Sequence, residues 1–163
     1  MTAAELKTPT DLKSNATKSV ADALNGVLAD SYALYLKTKN FHWHVSGPHF
    51  RDYHLMFDDQ AAQILATTDA IAERVRKTGN TTLRSIGDIS RHQTIKDNDA
   101  TFVSAEDMLA ELRQDNLDFV ETLRAAKEAA TEAKDNATEG IIDDWTDQAE
   151  ERAWFLFEAS RKG

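Results

Sequence analysis

The stretch HFRDYHLMFDDQAAQILATTDAIAERVRKT, His49 to Thr78, decides how the rest of this chain is read. Gly47-Pro48 stands before it and Gly79 after it. Proline disfavours helical geometry in the residue it follows and is welcome just inside a new helix start, while glycine is the usual left-handed stop. The stretch is therefore predicted to be one long helix. Two pairs of potential metal ligands lie on it at i, i+4 spacing, His54 with Asp58 and Asp69 with Glu73, and His42 lies just upstream. Imidazoles and carboxylates of this kind suit a borderline cation such as iron or zinc. The pair midpoints, positions 56 and 71, are 15 residues apart, which on a helix is about 22 Å. A metal bond reaches only about 2 Å, so one helix cannot bring both pairs to one ion. Two antiparallel copies, related by a two-fold axis crossing near Gln63 and Ile64, would set each His54/Asp58 pair against the partner's Asp69/Glu73. A two-fold contact is isologous, so such a site would occur twice, once at each end.

Upstream of Gly47, apolar residues Val20, Leu24, Val27, Leu28, Tyr32, Leu34, Tyr35 and Leu36 predict a first helix. It starts near Ser14 or Asn15 as N-cap and runs towards Val45. Residues 1–13 lack such a pattern and read as a mobile N-terminal tail, leaving 14–163 as the folded domain. Downstream of Gly79, residues 80–103 are weakly periodic, with room for a short helix over Thr82 to Arg91. Ser104 with Asp107 resembles an acidic capping box opening the third long helix, whose buried face is Leu109, Leu112, Phe119 and Leu123. After Lys134-Asp135-Asn136, Asn136 with Glu139 caps a fourth long helix carrying Ile142, Trp145, Ala149, Ala153 and Leu156. Two helices, a long middle crossover and two more helices describe an all-α, ferritin-like four-helix bundle better than an up-down-up-down one.

Composition agrees. Two prolines and six glycines in 163 residues favour long helices over sheet. Absent cysteine excludes disulfides and thiolate metal sites and suits a reducing cytoplasm. No apolar run approaches the roughly 20 residues of a membrane span, and the start of the chain lacks the apolar core of a secretory signal, so a soluble, cytoplasmic protein is expected. The net charge of −9 argues against a general nucleic-acid surface and would concentrate cations.

An isolated histidine or acid on a helix is as readily a solvated or satisfied side chain as a ligand, and only the combination shifts that balance. Asp58 and Asp69 lie beside Phe57, Ile64, Leu65 and Ile71, so a buried two-fold contact would strand their charges unless a cation or base compensated them. Intrachain di-iron bundles use Glu-x-x-His on two helices. No glutamate here has a histidine three positions later.

The run Asn40-Phe41-His42-Trp43-His44-Val45-Ser46-Gly47-Pro48-His49-Phe50, followed by His54, Asp58 and Asp69-Ala70-Ile71-Ala72-Glu73-Arg74, resembles the signature of the Dps family, the starvation-induced mini-ferritins. The similarity spans residues 14–160 and includes all five ligand positions. It implies a hollow homododecamer with two-iron ferroxidase centres at its two-fold interfaces. His42, His54 and Asp58 would come from one subunit, Asp69 and Glu73 from its neighbour. It further implies oxidation of iron(II), with hydrogen peroxide preferred over dioxygen, and storage of ferric mineral in the cavity. Asp58 ranks below Asp69 and Glu73 as a direct ligand. By the same analogy Trp43 could intercept oxidising equivalents, packing being the alternative. Asp115, Asp118 and Glu121 on the third long helix could line a three-fold iron path, or be an ordinary solvated face. His44, His49 and His92 read as structural. Lys7, Lys13 and Lys18 near the start and Arg161-Lys162-Gly163 at the end are a thin basic inventory, implying weak, salt-sensitive, non-specific DNA binding at most. The alternative to an oxidising storage cage is an architectural nucleoid protein whose metal sites only brace its dimer.

Overall fold

Helix α1 spans Ser14–His44 and α2 spans Phe50–Lys77 in the computed structural model, which describes residues 2–162. Met1, first residue of the expected tail, and Gly163, last of the basic C-terminal run, lie outside the described residues. The two helices form a hairpin whose turn is set by Gly47 at φ 120° and by the Phe50 amide donating to Gly47 O at 3.0 Å. Gly79, φ 88°, stops α2 as expected, and an added Cβ there would lie 2.7 Å from Thr8 O. Residues 78–104 cross the bundle and carry the short α3, Ile86–His92, which packs on α1. Helices α4, Ala105–Glu132, and α5, Asn136–Ala159, make the second hairpin, joined to the first chiefly through α1 against α4. The described residues contain no strand, and the fold is the expected all-α four-helix bundle with a long crossover.

The core is the set of stripes on these helices: Leu24, Leu34 and Phe41 of α1, Phe57, Ile64 and Ile71 of α2, Leu112 and Leu123 of α4, and Ile142 and Leu156 of α5. Each such side chain withdrawn from water contributes about 1.5–3 kcal/mol. The predicted buried faces of both later helices lie here as well.

Three local expectations are corrected. Neither Ser14 nor Asn15 caps α1; Lys13 holds that position with no side-chain bond. Leu36 is exposed while Lys37 turns inward. Helix α5 is capped one residue early, by Asp135, whose carboxylate accepts from the Thr138 amide. Asp135 also ion-pairs with Arg74 at 2.8 Å, a link from α2 that local pattern cannot reveal. Ile64 belongs to the chain's own core, so the outer surface at the middle of α2 is Ala62, Leu65 and Ala66. By contrast Ser104 caps α4 as expected, accepting from the Asp107 amide and donating its hydroxyl to the Asp107 carboxylate. At the N-terminus Ala3–Leu6 form a 3-10 turn, and Arg76 donates to Leu6 O.

The crossover is anchored by a buried acid. Asp30 of α1 is fully buried and accepts from the Thr94 amide and hydroxyl, both at 2.6 Å, and from the Ile95 amide at 3.0 Å. Bonds to an ionised acceptor are worth more than neutral ones, and donors left unsatisfied pay their desolvation in full. Asp30→Ala is expected to cost about 3 kcal/mol and to abolish hydrogen-exchange protection of the Thr94 and Ile95 amides. Unchanged protection would show that the crossover is held elsewhere.

Candidate metal centre

His42 and His54 face each other across the α1–α2 turn. Their rings are stacked with centroids 3.8 Å apart and planes 19° from parallel. Each ring is tied to the other residue's backbone: His42 Nδ1 lies 2.6 Å from His54 O, and His54 Nδ1 lies 2.8 Å from His42 O. A carbonyl oxygen only accepts, so both Nδ1 atoms carry the proton. In the neutral rings the two Nε2 lone pairs are then left free, the tautomer that a metal-binding histidine needs. The ends of two helices thus fix two donors in position through each other's backbone, with the Phe50 ring 5.0 Å from that of His54.

Asp58, one turn beyond His54, is half exposed and places Oδ1 3.9 Å from His42 Nε2. The same oxygen accepts from Lys39 Nζ at 2.7 Å. That hydrogen bond is the main cause holding the Asp58 carboxyl below the usual carboxylate range; desolvation opposes it and the Lys39 charge adds to it. The donor set on this side, two imidazole nitrogens and an ionised carboxylate, fits iron(II) or zinc by ligand chemistry.

Asp69 and Glu73 are exposed on the same helix. Because α2 is unbroken from Phe50 to Lys77, they remain about 22 Å along the axis from His54 and Asp58. Among the described residues, no group of three or more His, Cys, Asp or Glu side chains in the single chain is arranged to hold a metal. Arg74, beside Glu73, donates to Asp135 and Thr138 of the α5 start and so ties this end of α2 to the second hairpin.

The remaining sites divide. Trp43 is exposed, with Lys39 Nζ 5.8 Å from its ring centroid. His44 is bonded to Asn40 within α1, His49 occupies the N-cap position of α2 against Tyr53, and His92 is bonded to Asp88 O. Of the proposed path acids, Asp118 and Glu121 are exposed but Asp115 is not. Its Oδ2 lies 2.8 Å from the buried ammonium of Lys37, which also meets Glu111 at 2.7 Å and Lys96 O at 2.8 Å. Asp115 is therefore used inside its own bundle, and its placement on a path wall is corrected. Burial pushes its carboxyl above the usual range, Lys37 pulling it part of the way back. Sequence reading missed Lys39, although the signal was available: it precedes His42 by three residues and so shares its helical face.

Residues 21–162 match the family model described as a ferritin-like domain. The chain is 35% identical over 140 residues to a low temperature-induced protein of a Nostoc species, covering 85% of this chain and 78% of the relative. It is 32% identical over 139 residues to DNA protection during starvation protein 1 of Deinococcus radiodurans, covering 85% and 67%. A crystal structure of a Dps protein from Bacillus brevis superposes with a TM-score of 0.86 at 31% identity, covering 92% of this chain and all of that one.

Proposed function

The chain belongs to the Dps family of ferritin-like proteins, and from that premise we propose that it is a ferroxidase and iron-storage protein. Its substrate is iron(II), its preferred oxidant hydrogen peroxide, and its product a ferric mineral held in a dodecameric cage. The observation that carries this reading is the reciprocal clasp of His42 and His54, which leaves two Nε2 donors free beside Asp58. The unbroken α2 supports the rest: Asp69 and Glu73 lie too far along it to serve their own chain's histidines, and an antiparallel neighbour would supply them. Each interface would then hold two centres with three ligands from one subunit and two from the other.

In this reading the imidazoles and Glu73 bind iron, Asp69 adds negative charge, and Asp58 serves a second, weaker position. Bound iron supplies the electrons that reduce the oxidant. The backbone carbonyls of His42 and His54 keep the proton on Nδ1 and so preserve Nε2 as a donor. Apolar residues left uncovered by the single chain, Leu36 and Ile86 along a groove of about 810 Å³ between α1 and α3, support burial against further subunits. Asp118 and Glu121, on a chain of net charge −9, would favour iron(II) along a negative path. Trp43, exposed next to His42, is placed to take up stray oxidising equivalents. Among the described residues no helix is long and apolar enough to cross a membrane, and a cytoplasmic location is part of the proposal.

DNA binding is expected to be weak. Arg161 is paired with Glu158 at 2.7 Å, and Lys162 lies 3.8 Å from Glu106, which leaves little basic charge at this end for phosphates. One set of measurements tests the whole reading: native mass, stopped-flow iron(II) oxidation with peroxide and with dioxygen, and gel shifts across salt. The proposal expects a twelve-subunit particle, faster oxidation by peroxide, and DNA retardation confined to low salt. An assembled particle that does not accelerate oxidation but retards DNA at physiological salt would instead favour an architectural nucleoid protein.

A further inference from the structure

Arg152 of α5 is a buried cation bonded only to neutral groups. It is 3% exposed, and its Nε donates to Asn116 Oδ1 at 2.7 Å while Nη1 donates to Gln63 Oε1 at 2.8 Å. A guanidinium carries five N–H donors, so those on Nη2 and the second on Nη1 have no partner among the described residues. Burial lowers its pKa to about 10, and Glu151, acting only through its charge, pulls part of the way back. Buried charges are ordinarily paired, because the free energy lost on leaving water must be offset inside the protein. Among the described residues no carboxylate pairs with this one.

The same side chain borders a cavity. Arg152 and Gln60 are the buried part of the lining of a hollow of about 390 Å³ between α2 and α5, which Gln63 also lines. That volume is far more than the roughly 30 Å³ share of one water. Exposed Asp52, Asp59 and Glu151 stand at its mouth. Their charges oppose a dianion about twice as strongly as a monoanion. A planar carboxylate group also matches the Nη1–Nη2 edge, to which it can present both oxygens.

We propose that this cavity binds one small monoanion of the carboxylate class, bicarbonate or a short organic acid, on the free N–H groups of Arg152. The anion completes the charge balance of the α2–α5 seam and uses none of the proposed metal ligands. Binding there is therefore independent of iron.

Saturation-transfer NMR on the metal-free assembled protein, read on the formate proton, tests this directly. Formate is expected to receive saturation, to reach a plateau with concentration, and to be displaced by both bicarbonate and acetate. The stronger of the two competitors tells inorganic carbon from an organic acid as the source. Sulfate at equal ionic strength should not displace it. Arg152→Met, which keeps the stem and removes the donors, should abolish the transfer. Asp59→Asn with Glu151→Gln, both at exposed positions, should tighten formate binding by at least about fivefold, because two repelling charges are gone. Transfer that persists in Arg152→Met on an intact particle would overturn the proposal, as would displacement by sulfate. If Arg152→Met does not assemble, the double variant at the mouth decides, and an affinity no tighter than native would overturn it. Absence of any transfer in the native protein would show that water alone serves Arg152.

Discussion

His54→Ala combined with Glu73→Ala is expected to slow peroxide-driven iron(II) oxidation by at least about 100-fold while leaving the particle assembled. Loss of supporting side chains around a metal typically costs 10–100-fold, and here two direct ligands are removed, one from each contributing subunit. Neither substitution removes a core side chain: Glu73 is exposed, and His54 is half-buried, with one side-chain hydrogen bond, from Nδ1 to the His42 carbonyl, beside its stacking on the His42 ring. Stopped-flow absorbance of ferric product, with mass measured on the same samples, gives the answer. Unchanged rates on an intact particle would remove these residues from the chemistry. Mixing the two single variants adds a sharper check. If each centre draws ligands from two chains, particles assembled from His54→Ala and Glu73→Ala subunits together should regain part of the rate, because some interfaces then contain one centre with no substituted ligand. Particles of either single variant should not.

The largest expected effect on stability comes from Lys37→Met. Lys37 is the buried cation between α1, α4 and the crossover, matched by Glu111, Asp115 and Lys96 O. Breaking a buried pair by removing one partner typically costs about 3–5 kcal/mol, because the remaining charge is left uncompensated. For a chain of this size that lowers the melting temperature by roughly 10 °C. The loss should depend on pH in a definite sense. Asp115 already titrates above its ordinary range in the native fold, owing to burial. The folded state therefore binds its proton more tightly than the unfolded state does, and the Asp115 contribution to stability falls as pH rises through the folded value. Without Lys37 that value moves higher still. The gap between variant and native protein should be small in acid, where Asp115 is a neutral carboxylic acid, and should widen towards neutral pH. Adding Asp115→Asn should recover much of the loss at neutral pH. A pH-independent gap would show that packing of the lysine stem, and not its charge, is what the bundle uses.

What could be read from the sequence was set by short-range rules. Gly79 and the Gly47-Pro48 pair mark ends of α2 and α1 because backbone dihedrals act within a residue or two. Ser104 caps α4 because its hydroxyl needs only the amide three residues on. The histidine and acid positions on α2 were legible because helical spacing converts directly into distance. What failed depended on distant partners. Leu36 and Lys37 are equally placed by period alone, and it is Glu111, Asp115 and the Lys96 carbonyl, from other parts of the chain, that draw the lysine inward. Asp115 follows for the same reason. Asp135 outcompetes Asn136 as a cap because Arg74 reaches it from α2. Lys39 shares a helical face with His42, which spacing reveals, but its bond to Asp58 on the neighbouring helix does not show in the sequence.

The five-residue link 45–49 also acts as a ruler. It sets the offset at which the His42 carbonyl meets the His54 ring and the His54 carbonyl meets the His42 ring. Lengthening it by one residue would force α2 to slip along α1 or to turn by about 100° on its axis, and either would part both contacts together. Surface connections usually absorb such changes, and residues 78–104 have the slack to do so. Lineages and engineers alike therefore have room to vary length in the long crossover, but almost none in the short bend.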